Sequence, residues 1–202
     1  MNELQQFPIT FGIIAITVLI SFLAFSNDDL RSKSIFYPYG MHRPDQYYRF
    51  LSHGFIHADY IHLFFNMYTL YQFGRIAEIA IFSKAEYIIF YLTAIIASSI
   101  FDFIKNKNNS GYAALGASGA VSAVIFAVIL LIPWQGKILF IFPPIAFGVL
   151  YLFYCAYMDK RGRDNIGHSA HFWGGLYGVA FVAIVKPDIF KDFLEKLVNP
   201  SF

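Results

Sequence analysis

Six windows of close to twenty predominantly apolar residues punctuate this 202-residue chain, at residues 7–25, 60–78, 85–103, 117–134, 138–157 and 169–185. A helix needs about 20 such residues to cross the roughly 30 Å of hydrocarbon in a bilayer. Soluble domains carry roughly 25% charged residues, whereas this chain carries 14% and is 57% apolar. Too little polar surface is left to coat a globule in water. The sequence therefore predicts an all-α membrane protein, a single domain over residues 1–202 built as a six-helix bundle in the lipid bilayer. Asn2 and Glu3 precede the first window and no small-residue cleavage site follows it, so that window reads as a retained span and not a removed signal. A net charge of +2 without a basic block gives nucleic acid no electrostatic footprint. The wealth of aromatic and aliphatic residues excludes a disordered chain. The single cysteine, Cys155, has no disulfide partner in the chain and reads as a small packing residue.

The connections are uneven. Residues 26–59 form a long first linker rich in Tyr, Phe and His, whose aromatic rings favour the headgroup region, so this loop is predicted to be partly membrane-embedded. Only Gln135-Gly136-Lys137 separates the fourth and fifth windows, which predicts a tight antiparallel pair. Residues 187–199 carry Ile189, Phe190, Phe193, Leu194, Leu197 and Val198 on one helical face and Lys191, Glu195 and Lys196 opposite, the pattern of an interfacial amphipathic helix. Six spans put both termini on one side. Lys and Arg number six on that side and nine on the other, which by itself turns the termini away from the cytoplasm.

Span parity makes the second, fourth and sixth helices start from the same membrane face, where His62, Asn66, Ser118 and His171 fall at one depth. Polar side chains within a span are costly and usually face a bundle interior or a wet cavity. His62 and Asn66, four apart, share a helical face. Ser118, in Gly116-Ala117-Ser118-Gly119-Ala120, lies within a turn of a helix N-terminus, whose free N–H groups and dipole favour developing negative charge. Gly174 and Gly178 follow His171 at i+3 and i+7, and Gly119, Ala123 and Ala127 form a matching strip on the fourth span. Two such strips allow close backbone approach, which a serine hydroxyl and a histidine nitrogen need to come within about 2.6–3.2 Å. The chemistry predicted is nucleophilic: Ser118 as nucleophile, His171 as base and then acid, with the Asn66 amide, the His62 ring N–H and the Ser118 N–H as oxyanion donors. Asp102 and Asp164 read as lying outside, or at the wrong end of, their spans, so the expectation is a dyad without a carboxylate.

These residues resemble the rhomboid intramembrane serine proteases in their basic six-span form. The resemblance rests on His53-Gly54-Phe55-Ile56-His57, on His62-Leu63-Phe64-Phe65-Asn66, on Gly116-Ala117-Ser118-Gly119, and on Ala170-His171-Phe172-Trp173-Gly174 with Gly178. It implies peptide-bond hydrolysis in or near the transmembrane segment of single-span membrane proteins, with Ser118 and His171 catalytic, His62 and Asn66 in the oxyanion hole, and no cofactor or metal. It also implies cytoplasmic termini in a bacterial inner membrane and a site opening outward, which we follow over the slight charge imbalance. The first linker resembles the family's embedded loop, with Tyr48-Arg49 where relatives often have Trp-Arg, and Arg49 binding loop carbonyls. Residues 158–168 resemble its mobile cap. One turn after the nucleophile some relatives place a Tyr against the catalytic imidazole, whereas this chain has Ser122, leaving Phe172 or a Tyr of the fifth span to restrain His171.

Other chemistries fit less well. His53, His57, His62, His168 and His171 gather near one face, but a zinc peptidase of the HExxH type needs a glutamate between its paired histidines, and Gly54, Phe55 and Ile56 stand there. His53, His57 and His168 are instead expected to bond loop carbonyls. No span offers the facing carboxylates of an aspartyl peptidase. A catalytically silent relative that binds membrane helices would normally lack Ser118 or His171. A transporter with a buried polar cluster would be expected to show inverted halves or broken spans.

Overall fold

The computed structural model describes residues 2–138, 141–162 and 166–200, and within them it contains ten α-helices and no β-strand. These are α1 (Glu3–Gln6), α2 (Pro8–Phe25), α3 (Asp28–Ser34), α4 (Arg49–Ser52), α5 (Tyr60–Ala80), α6 (Lys84–Asn106), α7 (Ser118–Leu131), α8 (Pro144–Arg161), α9 (His168–Val185) and α10 (Pro187–Val198). Six of them, α2 and α5 to α9, correspond to the apolar windows. By length and composition alone, α2 and α6 can each cross a bilayer, and α9 with α10 meets the same test as a pair bent by 113°.

α7 is the axis of the bundle. Every residue from Gly119 to Leu130 is buried, so the other helices form a sheath around it. The sheath is apolar outward and polar inward. α2 buries Thr10, Thr17, Ser21 and Ala24 while Ile16, Leu19, Phe22 and Leu23 are exposed. α6 buries Ser98, Ser99 and Asp102 and exposes Ile89, Ile100, Phe101 and Ile104. Water would punish this inversion, and lipid permits it.

Two helix ends are closed by ionic side chains. The buried Glu78 carboxylate, near the end of α5, accepts from the Ile9 N–H at 2.8 Å and from the Thr10 N–H and hydroxyl at 2.7 Å each. An anion on the free N–H groups of a helix start is favoured by the dipole. At the C-terminal end of α7, the Lys196 ammonium of α10 donates to the Leu131 carbonyl (2.9 Å), and Trp134 Nε1 donates back to the Lys196 carbonyl (2.7 Å). The amphipathic tail is thus fastened to the foot of the central helix, with Phe193 buried.

The fourth and fifth windows are corrected. α7 stops at Leu131 and α8 begins only at Pro144, so the connection is residues 132–143 and not a three-residue turn. Pro133 follows the end of α7 closely, and Pro143 is held extended (ψ 145°) by Pro144, which occupies the first turn of α8. Hydropathy alone does not register that break. At its far end α8 continues to Arg161, into the segment expected to be a loop; Arg163 and Asp164 lie outside the described residues.

Replacing Glu78 by alanine should cost about 2–3 kcal/mol, since bonds to charged groups contribute about 1.5–3 kcal/mol each and the freed N–H groups recover part of this elsewhere. Denaturant unfolding in detergent checks it, and an unchanged midpoint would show that the carboxylate does not hold α2 in place.

Candidate active site

The nucleophile turn is assembled from outside its own helix. Gly116 adopts φ +119°, a conformation natural to glycine, and a side chain there would also press on the His62 ring, its Cβ 2.6 Å from Cε1. The long first loop supplies the bonds that hold this turn. Phe36 and Ala114 exchange both backbone hydrogen bonds, each 2.9 Å. The Gly116 N–H donates to the His53 carbonyl at 2.9 Å, and the Ala117 N–H donates to His57 Nε2 at 3.3 Å. With Nε2 accepting, the His57 proton sits on Nδ1 and is donated to the Ser21 hydroxyl (2.9 Å), which in turn donates to the Phe55 carbonyl (3.0 Å). His53 Nδ1 donates to the Arg49 carbonyl at 2.8 Å. Burial pushes His53 down to about 4 and His57 to about 3, so both remain neutral and keep these roles at ordinary pH. The expectation that His57 bonds a loop carbonyl is therefore corrected: it accepts from the nucleophile turn and reaches a carbonyl only through Ser21.

Arg49 does bond loop carbonyls. Its Nη1 donates to Ser32 and Ile35, both at 2.8 Å, and its guanidinium lies 5.5 Å from the Tyr48 ring centre. Tyr48 thus offers an aromatic face to the guanidinium, and its hydroxyl adds a bond to the Lys33 carbonyl (2.9 Å).

Ser118 is the first residue of α7, and the first intrahelical bond of that helix runs from the Val121 N–H to the Ala117 carbonyl. The N–H groups of Ser118, Gly119 and Ala120 therefore precede the helical ladder at the end that favours negative charge. α9 presses against this end. A methyl added to Gly174 would run into the Gly119 carbonyl, and one added to Gly178 into the Ala123 carbonyl. A Cβ on Gly119 would run into the Ser98 hydroxyl and stand 3.3 Å from the Ala170 oxygen. The neighbour of Ser118 in sequence thus lies against the neighbour of His171.

Ser118, His171, His62 and Asn66 all line one cavity of about 1430 Å³, whose walls also include residues of both α5 and α8. Asp59 caps α5 by accepting from the His62 N–H (2.8 Å), and the Asn66 Nδ2 donates to the His62 carbonyl (2.9 Å), leaving its second hydrogen for the cavity. The view of Asp102 is corrected. α6 runs toward the face from which α7 starts, and Asp102 lines the same cavity, buried, with the Ser169 and Tyr112 hydroxyls as hydrogen-bond partners. Parity of the spans contains this signal, because the C-terminal end of the third span shares a face with the start of the fourth.

The ring that faces His171 is Tyr151 of α8, nearly parallel to it (17°) with centres 6.2 Å apart. Its hydroxyl meets the Ser122 hydroxyl at 3.0 Å. Ser122 thus stands one turn after Ser118 as the anchor of an aromatic ring supplied by another helix. Phe172 packs on Trp173 instead, with ring centres 5.4 Å apart.

The fold is that of a helical membrane protein in which Ser118 and His171, on two abutting helices, line one cavity. Residues 44–188 match the Rhomboid domain, and the chain belongs to that family. It is 31% identical over 124 residues to rhomboid protease GlpG of Haemophilus influenzae, covering 60% of this chain and 61% of that protein. It is 29% identical over 147 residues to the human mitochondrial presenilin-associated rhomboid-like protein, 68% of this chain but 38% of the relative. Rhomboid-related protein 1 of Caenorhabditis elegans matches at 27% over 166 residues, 75% and 44% of the two chains.

Tyr151→Phe should keep most of the turnover, because the ring stays, whereas Tyr151→Ala should lose about tenfold or more through a looser His171. Equal rates for the two variants in a steady-state cleavage assay would exclude the ring as a restraint.

Proposed function

We propose that this protein is an intramembrane serine endopeptidase cutting single-span membrane proteins, with all six helices α2 and α5 to α9 crossing the bilayer. The observation that carries the reading is the contact of α7 with α9 at Gly119 and Gly174, beside Ser118 and His171, at the edge of a large cavity. α7 has 14 residues, or about 21 Å of helix against about 30 Å of hydrocarbon. A fully sheathed helix of that length begins below the membrane surface, and the cavity above it admits the water that hydrolysis consumes.

In the reaction, neutral His171 takes the Ser118 proton as Oγ attacks the scissile carbonyl. The oxyanion is received by the Ser118 N–H, the free Asn66 hydrogen and the His62 ring. Collapse breaks the C–N bond as His171 returns the proton to the leaving amine. Water then enters by the same route in reverse and releases the acyl group. The cavity side walled by α5 and α8 gives a substrate helix lateral entry from lipid. Localisation to a bacterial plasma membrane belongs to the same reading, with relatives in both bacteria and mitochondria.

The presence of both Ser118 and His171 supports this reading over a silent helix-binding relative. In proteoliposomes carrying single-span substrates, Ser118→Ala should abolish cleavage. Asn66→Ala should lower kcat about 10- to 100-fold with little change in KM, since its contact strengthens in the transition state. Turnover that survives Ser118→Ala would end the proposal.

A further inference from the structure

A second arrangement shares His171 with the proposed dyad and adds two residues, Cys155 and His168, that peptide hydrolysis does not use. Cys155 of α8 and His168 and His171 of α9 bring one sulfur and two imidazole nitrogens within 4.8 Å of one another. Cys155 is fully enclosed and His168 nearly so. The two histidines, three apart, share a face of α9, and α8 turns Tyr151, Tyr154 and Cys155 toward it. The Tyr154 ring stands edge-on to His168 with centres 5.5 Å apart, and Tyr151 lies parallel to His171. Both imidazoles are thus walled by rings next to the thiol.

One sulfur and two imidazoles form a donor set for Zn²⁺, which binds Cys at about 2.3 Å and His at about 2.0–2.1 Å and keeps a fourth, open position in many sites with three protein ligands. Donors around a tetrahedral zinc stand about 3.5 Å apart by that geometry, so the group needs to close by about 1 Å through side-chain rotation. A route in from the polar side exists. His168 also lines a cleft of about 310 Å³ together with Asp102 and the Lys105–Asp159 ion pair (2.9 Å), a polar opening next to this imidazole. Asn and Gln amides are missing from the three-atom cluster, and hard cations such as Mg²⁺ and Ca²⁺ prefer all-oxygen shells, so the chemistry favours zinc among biological divalent ions.

We propose that Cys155, His168 and His171 bind Zn²⁺ and that the ion silences the peptidase by occupying His171. On binding, the Cys155 thiol releases its proton to water as the sulfur–zinc bond forms, and each imidazole donates a nitrogen lone pair, with no change of oxidation state. The lone pair on His171 that would accept the Ser118 proton is then committed to the metal. The inhibition rests on His171 being the base, whereas the binding does not.

The test uses the full chain in detergent with Co²⁺ as a spectroscopic probe, followed by Zn²⁺ competition and a cleavage assay with and without Zn²⁺. The wild type and Ser118→Ala should both show one thiolate-to-cobalt charge-transfer band in the near ultraviolet that Zn²⁺ abolishes. Cys155→Ser and Cys155→Ala should lose the band and bind zinc at least tenfold more weakly, with far-ultraviolet circular dichroism confirming that each is folded. Zinc should suppress wild-type cleavage more than tenfold relative to the metal-free rate of the same preparation, and suppress Cys155→Ala correspondingly less. Absence of the band in wild type, or an equal band in folded Cys155→Ala, would overturn the site; cleavage that requires zinc would overturn its inhibitory role. A band in a chain that cleaves nothing would keep the metal site and remove the peptidase reading instead.

Discussion

The contact of two helix backbones without intervening side chains is the constraint from which the rest of the structure follows. Gly174 and Gly178 of α9 sit against the Gly119 and Ala123 carbonyls of α7, a separation that no larger residue at those glycines allows. In lipid, where hydrophobic burial gives little reason for helices to associate, such close van der Waals packing is what draws them together. The same closeness that binds the helices aligns Ser118 and His171 at their common end. Stability and proposed chemistry therefore share one geometric cause, and a side chain at Gly174 would damage both.

On the proposed membrane placement, α7 starts below the surface, and its backbone donors must be met without bulk water. The first loop meets them by reaching in. His57 accepts from the Ala117 N–H, the His53 carbonyl accepts from Gly116, and Phe36 pairs with Ala114. Arg49 in turn ties the loop to itself through the Ser32 and Ile35 carbonyls. The histidines that look like metal ligands in the sequence, His53 and His57, are thereby bound up in building the turn. Those that remain beside Cys155 are His168 and His171.

Much of this is legible in the sequence. Spacing of four placed His62 and Asn66 on one face, and spacing of three and seven set Gly174 and Gly178 below His171, because helical periodicity converts sequence directly into direction. The apolar windows located the six long helices. What periodicity does not carry is contact between segments remote in sequence: Glu78 capping α2, Tyr151 reaching His171 by way of Ser122, and Cys155 meeting two histidines of the next helix. The late start of α8 is not legible because hydropathy averages over Pro143-Pro144, and the place of Asp102 is legible only through the direction in which α6 runs.

The central claim is that the approach of α7 to α9 makes Ser118 reactive. Its most direct test is the rate at which a fluorophosphonate acylates Ser118, followed by mass spectrometry in the wild type and in Gly174→Ala. The added methyl should slow labelling of Ser118 by about 100-fold while circular dichroism still reports a helical protein. Equal labelling rates, or labelling of another residue in the wild type, would contradict the account.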